Sequence, residues 1–368
     1  MAPTSSPRII LFGATGYTGR RTAEALVERG ARPILAGRDQ GRLDDLASAL
    51  PGPAETAVAD VERPDSVRRL VAEGDVLITT VGPFARWGAP AVEAAVNARA
   101  VYLDSTGEPT FIRRVFQRYG PQAEASGAAL LTAFGFDYVP GNLAASLALR
   151  KAGPAASRVD VGYFLHGSSA GSASAGTRAS MLGMVFEPMY GFREGRVMPE
   201  RGRTRSFEVG GTRRHALAVG ASEHFVLPRR HPGLREVNVY MGWVSGPLMR
   251  MAGPAAKAAP FVAALPGARR ALRLVADRVE RTSSRGPSGP SEVTSQVVAE
   301  AYGQGGERLA TAELVGGDPY DVTARLLAWG AITAAGEGVD GRGALGPADA
   351  FGLDRLTAGA VEAGYSVT

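Results

Sequence analysis

Through its first 150 positions the chain alternates short, almost wholly apolar runs with stretches of helical periodicity. Apolar runs at 9–12, 33–36, 55–60, 75–80, 100–103 and 128–134 predict six strands. The intervening patterns predict helices over 18–29, 40–50, 64–72, 88–97 and 110–125, the first closed by Gly30. Strands that are apolar on both faces, separated by helices, imply a parallel sheet covered on both sides. The expected fold class is α/β, with an N-terminal doubly wound parallel sheet.

The texture changes after about residue 151. Strand-like stretches at 158–166, 204–209, 217–220, 236–241 and 293–302 alternate in the manner of half-buried strands, which predicts a second, mixed α/β domain. A Ser/Gly-rich loop at 167–176 precedes a predicted helix near 177–191, and 281–291 reads as a loop. Helical patterns return at 318–335 and 351–363. The implied division is 1–150, 151–310 and 311–368. A chain of 368 residues fits two domains at roughly 150 residues each.

Composition narrows the chemistry. The chain has no Cys, which excludes disulfides, thiolate metal sites and a thiol nucleophile. The four histidines, His166, His215, His224 and His231, are widely spaced, so no metal site is expected. The net charge of +5 is almost all Arg, the only lysines being Lys151 and Lys257, and no basic run suggests a nucleic-acid stripe. The apolar stretch 243–274 is broken by Arg250, Lys257, Arg269, Arg270 and four prolines. It predicts no stable membrane insertion, the short polar stretch at 1–7 predicts no signal peptide, and a cytoplasmic enzyme is expected.

The clearest motif follows the first strand. Gly13-Ala14-Thr15-Gly16-Tyr17-Thr18-Gly19 joins a strand to a helix. Gly13 allows the tight turn, Gly16 the close approach of a pyrophosphate, and Gly19 close helix–strand packing. The helix N-terminus offers free N–H groups to the phosphates. At the end of the second strand stand Gly37 and Arg38, where an NAD enzyme usually carries an acidic residue. A cation there favours the extra phosphate of NADP(H). Asp39 beside it could hold a ribose or cap the next helix. Asp60, after the third strand, could lie near the adenine or start a helix. Thr80, Val81, Gly82 and Pro83 end the fourth strand, where ligands of open α/β sheets bind, and Phe84 follows towards the substrate.

Two common owners of such a glycine turn are excluded. Neither lysine has a Tyr four positions earlier (Leu147 and Gly253 stand there), and no zinc-ligand pattern exists. What remains is similar to the saccharopine dehydrogenase-like oxidoreductases. The resemblance rests on GATGYTGR at 13–20, AGR at 36–38, TVGPF at 80–84, YLDSTGE at 102–108, GFDYVPGNL at 135–143, SAGTRASM at 174–181 and GPADAFG at 346–352, in family order. The branch resembles the trans-acting enoyl reductases more than true saccharopine dehydrogenase. It implies a Rossmann domain, a second domain whose sheet serves homodimer formation, and C-terminal helices that return to the Rossmann domain. The family's usual aspartate after the proline of GFDxxPxD is Asn142 here.

Hydride would come from the cofactor, so the protein need only place a substrate and manage a proton. Tyr138, Asp137 and Asn142 are expected together in a loop after the sixth strand as catalytic candidates. Tyr138 could donate a proton or bond a substrate carbonyl, or serve as packing between domains. Asp104 and Glu108 could line the substrate or cap a helix. Thr177 and Arg178 could close over an acyl-type substrate, Arg178 meeting a carboxylate or phosphate, or lie on the surface. The main expectation is NADPH-dependent reduction of an activated C=C bond in a secondary-metabolite, polyketide or lipid intermediate. Alternatives are an imine or amino-acid reductase and a non-catalytic NADP-binding regulator.

Overall fold

The computed structural model describes residues 7–167, 189–242 and 293–368. Thr177, Arg178, most of the 167–176 loop and the stretch 243–274 lie outside the described residues. The chain divides into two compact units. One contains residues 1–106, 111–139 and 319–364; the other contains 107–110, 140–318 and 365–368.

The first unit is built on strands β1 (Ile9–Phe12), β2 (Ile34–Gly37), β3 (Glu55–Val58), β4 (Val76–Thr79), β5 (Val101–Asp104) and β6 (Ala129–Leu131). Counting from the outer edge, the sheet runs β3, β2, β1, β4, β5, β6, followed by a two-residue strand, Gly343–Ala344. All six registers are parallel. β1 and β4 are wholly buried, which is why they read as unbroken apolar runs. The strand order reverses between β1 and β4, so the crevice beyond their carboxyl ends is the expected ligand position.

Helix Pro319–Glu337 belongs to this unit and packs along helix Tyr17–Glu28. Arg21 pairs with Asp321, and Tyr17 meets Tyr320 edge-on at 5.0 Å. Trp329 from the same helix stacks on Phe134 and meets Phe351. The single helix expected over 110–125 is instead Pro109–Arg114, a π turn at Val115–Tyr119 and Gly120–Ser126. Pro121 lacks the N–H that a continuous ladder needs there.

The second unit holds a nine-stranded mixed sheet. Its centre is β7 (Arg158–His166), parallel to β12 (Glu236–Gly242) and antiparallel to β13 (Thr294–Tyr302). β8 (Tyr190–Arg193) and β9 (Arg196–Pro199) form a hairpin on β12. β10 (Thr204–Val209) and β11 (Thr212–Ala218) form another. Phe207 of this hairpin packs against Phe164 and Tyr240 in the core. β14 (Arg308–Gly316) borders β13, and the C-terminal Ser366–Val367 pairs with β14. Helices Val139–Ala152 and Glu223–Arg230 complete the unit. Tyr190–Arg193 is thus a strand, where a helix was expected to reach residue 191. No helix among the described residues is long and apolar enough to cross a membrane.

Candidate functional site

The glycine turn forms a cradle at the reversal of strand order. Gly13 has a φ of +90°, which L side chains rarely adopt. Its N–H and that of Ala14 donate to Ala36 O at 2.8 and 3.1 Å, tying the turn to β2. Thr80 N donates to Phe12 O at 2.9 Å, and Thr80 Oγ1 to Gly13 O at 3.1 Å, tying it to the end of β4. A Cβ on Gly13 would lie 2.8 Å from Thr80 Oγ1, and one on Gly19 would lie 2.1 Å from Gly13 O. Helix Tyr17–Glu28 has no side-chain cap. Its first-turn N–H groups have no acceptor within the helix. Gly16 is exposed at that open end, where a Cβ would meet only Gly13 O. Glycines sit where Cβ atoms would collide, beside an uncapped helix end. These residues fit a dinucleotide pyrophosphate.

The adenosine end is set by β2. Gly37 ends the strand, its Cα side 3.8 Å from Thr15 Oγ1 for an added Cβ, and Arg38 is exposed just beyond it. Asp39 is the N-cap of helix Gln40–Ala49, accepting from Arg42 N at 3.1 Å. That fixes its structural job. Sequence reading missed Arg42. Its Nη2 donates to Thr15 O at 3.2 Å, placing a second cation against the glycine turn four residues after Arg38. The Arg-Asp-x-x-Arg spacing around a helix start was the available signal. Asp60 Oδ1 accepts from Glu62 N at 3.0 Å, so its carboxylate serves the turn before helix Pro64–Arg68.

Beyond β4, Thr79 Oγ1 accepts from Val81 N at 3.3 Å, Gly82–Pro83 is a cis peptide, and Gly82 is exposed. Phe84, expected to face a substrate, turns inwards against Phe111 with ring centres 5.6 Å apart. Asp104 is fully buried. It accepts from Thr106 N (2.9 Å), Ala133 N (2.9 Å) and Thr132 Oγ1 (2.7 Å), fastening the loop after β5 to that after β6. Its position is that of a structural post. Burial pushes its carboxyl above the usual range, and these donors act against that. Glu108 is buried in the second unit.

The loop after β6 carries Asp137 and Tyr138. Phe136 N donates to Thr323 Oγ1 at 2.9 Å, anchoring the loop to the first turn of helix Pro319–Glu337. Tyr138 is fully buried, its N–H bonded to Ala133 O at 2.8 Å. Asp137 Oδ1 is withdrawn from water and has no hydrogen-bond partner among the described residues. Burial pushes its carboxyl up to about 7. Asn142 is not in this loop. It lies in the first turn of helix Val139–Ala152 and belongs to the second unit, where its Nδ2 donates to Ser222 Oγ at 2.9 Å.

Comparison with known proteins agrees with this geometry. Residues 13–107 match a family model described as NAD(P)H-binding. A Mycobacterium tuberculosis relative with trans-acting enoyl reductase in its name is 42% identical over 148 residues, covering 38% of this chain and 35% of that protein. The trans-acting enoyl reductase of Mycobacterium leprae is 41% identical over 140 residues, covering 37% and 34%. The matched segment therefore spans about a third of each relative's length. Among solved structures, saccharopine dehydrogenase (L-Glu forming) from Saccharomyces cerevisiae matches 99% of both chains at a TM-score of 0.60 and 11% identity. The chain shares the fold of that enzyme. Homospermidine synthase from Legionella pneumophila, solved with NAD, shares the fold at a TM-score of 0.58 and 11% identity, over 99% of this chain and 92% of that one. The matched NAD(P)H-binding segment begins at the glycine turn, so a nicotinamide cofactor belongs there.

Proposed function

We propose that the chain is an NADPH-dependent reductase that saturates an activated C=C bond of an acyl-type intermediate. The observation that carries the reading is the glycine cradle with two arginines, Arg38 and Arg42, at its adenosine end, the one acidic residue between them, Asp39, being engaged in its helix cap. A ribose 2′-phosphate would find charge-assisted donors in that place, and such a contact is worth about 1.5–3 kcal/mol before solvent screening. The names of the 41–42% identical relatives support the enoyl substrate class.

Bound NADPH would supply hydride to the carbon β to the carbonyl. The protein must then deliver a proton to the α carbon. Asp137 is the side chain suited to it: a carboxyl raised to about 7 by burial is half protonated at neutral pH. Tyr138, Asn142 and, outside the described residues, Thr177 and Arg178 are assigned to substrate placement. With this reading go a cytoplasmic, homodimeric enzyme of secondary metabolism, the dimer to be tested by sedimentation. The direct test is NADPH oxidation with a 2-enoyl pantetheine thioester. Stoichiometric conversion to the saturated thioester is expected. Cofactor binding without turnover of any enoyl thioester would overturn the enoyl assignment.

A further inference from the structure

Past the end of β4 the chain turns at Gly82–Pro83 into a short helix, Phe84–Trp87. The turn is held firmly. Trp87 N donates to Pro83 O and Gly88 N to Phe84 O, both at 2.9 Å. A Cβ on Gly88 would come 2.4 Å from Phe111, whose ring also meets that of Phe84. Arg114, from the same helix as Phe111, donates through Nη1 to Ala85 O at 3.1 Å. Backbone bonds, ring packing and a guanidinium thus fix the helix that carries Arg86.

Arg86 is the charged residue of that helix, and it is exposed. No sequence motif singled it out. Its guanidinium lies over the Trp87 ring, 4.3 Å from the ring centre. Stacking of this kind uses the flat face of the guanidinium and leaves its N–H edge able to donate. Among the described residues the Arg86 side chain makes this ring contact and no ion pair. Negative charge is scarce around it. Residues 84–98 and 111–123 hold four arginines (Arg86, Arg113, Arg114 and Arg118) and one carboxylate, Glu93. Glu93 accepts from Tyr119 Oη at 3.2 Å. All these groups lie in the first unit.

The position gives this cation a meaning. Ligands of an open α/β sheet bind beyond the carboxyl ends of the strands, and the helix of Arg86 begins directly after the β4 end of that crevice. An exposed cation on the rim meets the part of a substrate that trails outside. In a pantetheine thioester the amides are neutral, and a phosphate, where present, stands at the end of the arm remote from sulfur. We propose that Arg86 binds the phosphate of a 4′-phosphopantetheine arm carrying the enoyl thioester, with Arg114 supplying a second positive charge behind the turn. This rests on the enoyl reading of function. Free coenzyme thioesters and thioesters on a carrier protein share that phosphate.

The experiment measures kcat/KM at saturating NADPH for one 2-enoyl group on pantetheine, on 4′-phosphopantetheine and on an acyl carrier protein. The wild type is expected to favour 4′-phosphopantetheine over pantetheine by roughly threefold to tenfold, as for an exposed charge-assisted contact. High salt should reduce that ratio. In Arg86→Ala it should fall to about one, and in Arg86→Glu below one. The carrier-borne thioester should lose by a similar factor in Arg86→Ala, and the better of the two phosphate-bearing substrates identifies the source of the arm. A wild-type ratio of one, or a ratio that Arg86→Ala leaves intact, would overturn the proposal. So would a loss confined to the carrier protein, which would mark a protein contact instead. Should the wild type reduce none of the three, the enoyl reading of function fails. The proposal is then read by calorimetric titration of the NADPH-saturated enzyme with 4′-phosphopantetheine and with pantetheine. Tighter binding of the phosphorylated arm that Arg86→Ala abolishes upholds it; equal or undetectable affinities overturn it.

Discussion

Replacing Asp137 by Asn removes a carboxyl that burial sets far from solution behaviour. In the folded protein burial raises it from 3.8 to about 7, and its Oδ1 has no partner among the described residues to offset the loss of water. In the unfolded chain it titrates near its ordinary value. Below about pH 4 both states are protonated, and this group then costs the fold nothing. Between about pH 4 and 7 the unfolded state gives up its proton while the folded state keeps it, so stability falls as pH rises. Three pKa units at about 1.36 kcal/mol each give a loss of about 4 kcal/mol, complete above pH 7. Asn cannot ionise, so the variant should not show this loss. Urea unfolding at intervals from pH 4 to pH 8 should give curves that converge at low pH and separate by about 4 kcal/mol at high pH, the variant being the more stable. Its turnover should fall by roughly 10²–10⁴ with cofactor affinity unchanged. Parallel stability curves for the two proteins would refute the burial argument, and with it the case for Asp137 as proton donor.

Other outcomes follow from the same geometry. Asp104→Ala leaves three buried donors without an acceptor, at about 1–3 kcal/mol each, and should lower stability by about 3 kcal/mol or more in denaturant unfolding. Gly19→Ala forces a methyl into the Gly13 carbonyl; it should destabilise by about 1–3 kcal/mol in the same assay and weaken NADPH binding measured by fluorescence. Arg42→Ala should weaken NADPH by roughly threefold to tenfold and leave NADH unchanged, because its exposed guanidinium is held beside the turn by donation to Thr15 O.

The parallel sheet was legible because buried strands between helices leave unbroken apolar runs, and β1 and β4 are buried at every position. The glycine turn was legible for the same kind of reason: its residues answer to local sterics, and a Cβ at Gly13 or Gly19 collides within the motif itself or with its neighbouring strand. The second sheet was harder. β11 begins with Thr212, Arg213 and Arg214 on an exposed hairpin, so its apolar half alone showed. The Gly210-Gly211 turn ahead of it was the overlooked signal. β14 buries mostly small alanines at alternate positions, which leaves little pattern. Asp104 looked like a site residue because sequence shows a carboxylate at a strand end; only coordinates reveal the three donors that occupy it. The buried Glu223 was invisible for the opposite reason. Its partner Tyr163, and Asn142, which bonds the adjacent Ser222, are distant in sequence and meet it only through the tertiary fold.

The most direct test of the central claim is the dissociation constant of NADPH and of NADH for the wild type and Arg38→Ala. Tight NADPH binding that weakens by roughly one to two powers of ten in the variant, with NADH little changed, is the predicted result. Equal affinity for the two nucleotides, unaffected by the substitution, would contradict the NADP assignment. Failure of both to bind below about millimolar concentration would contradict the dinucleotide site itself.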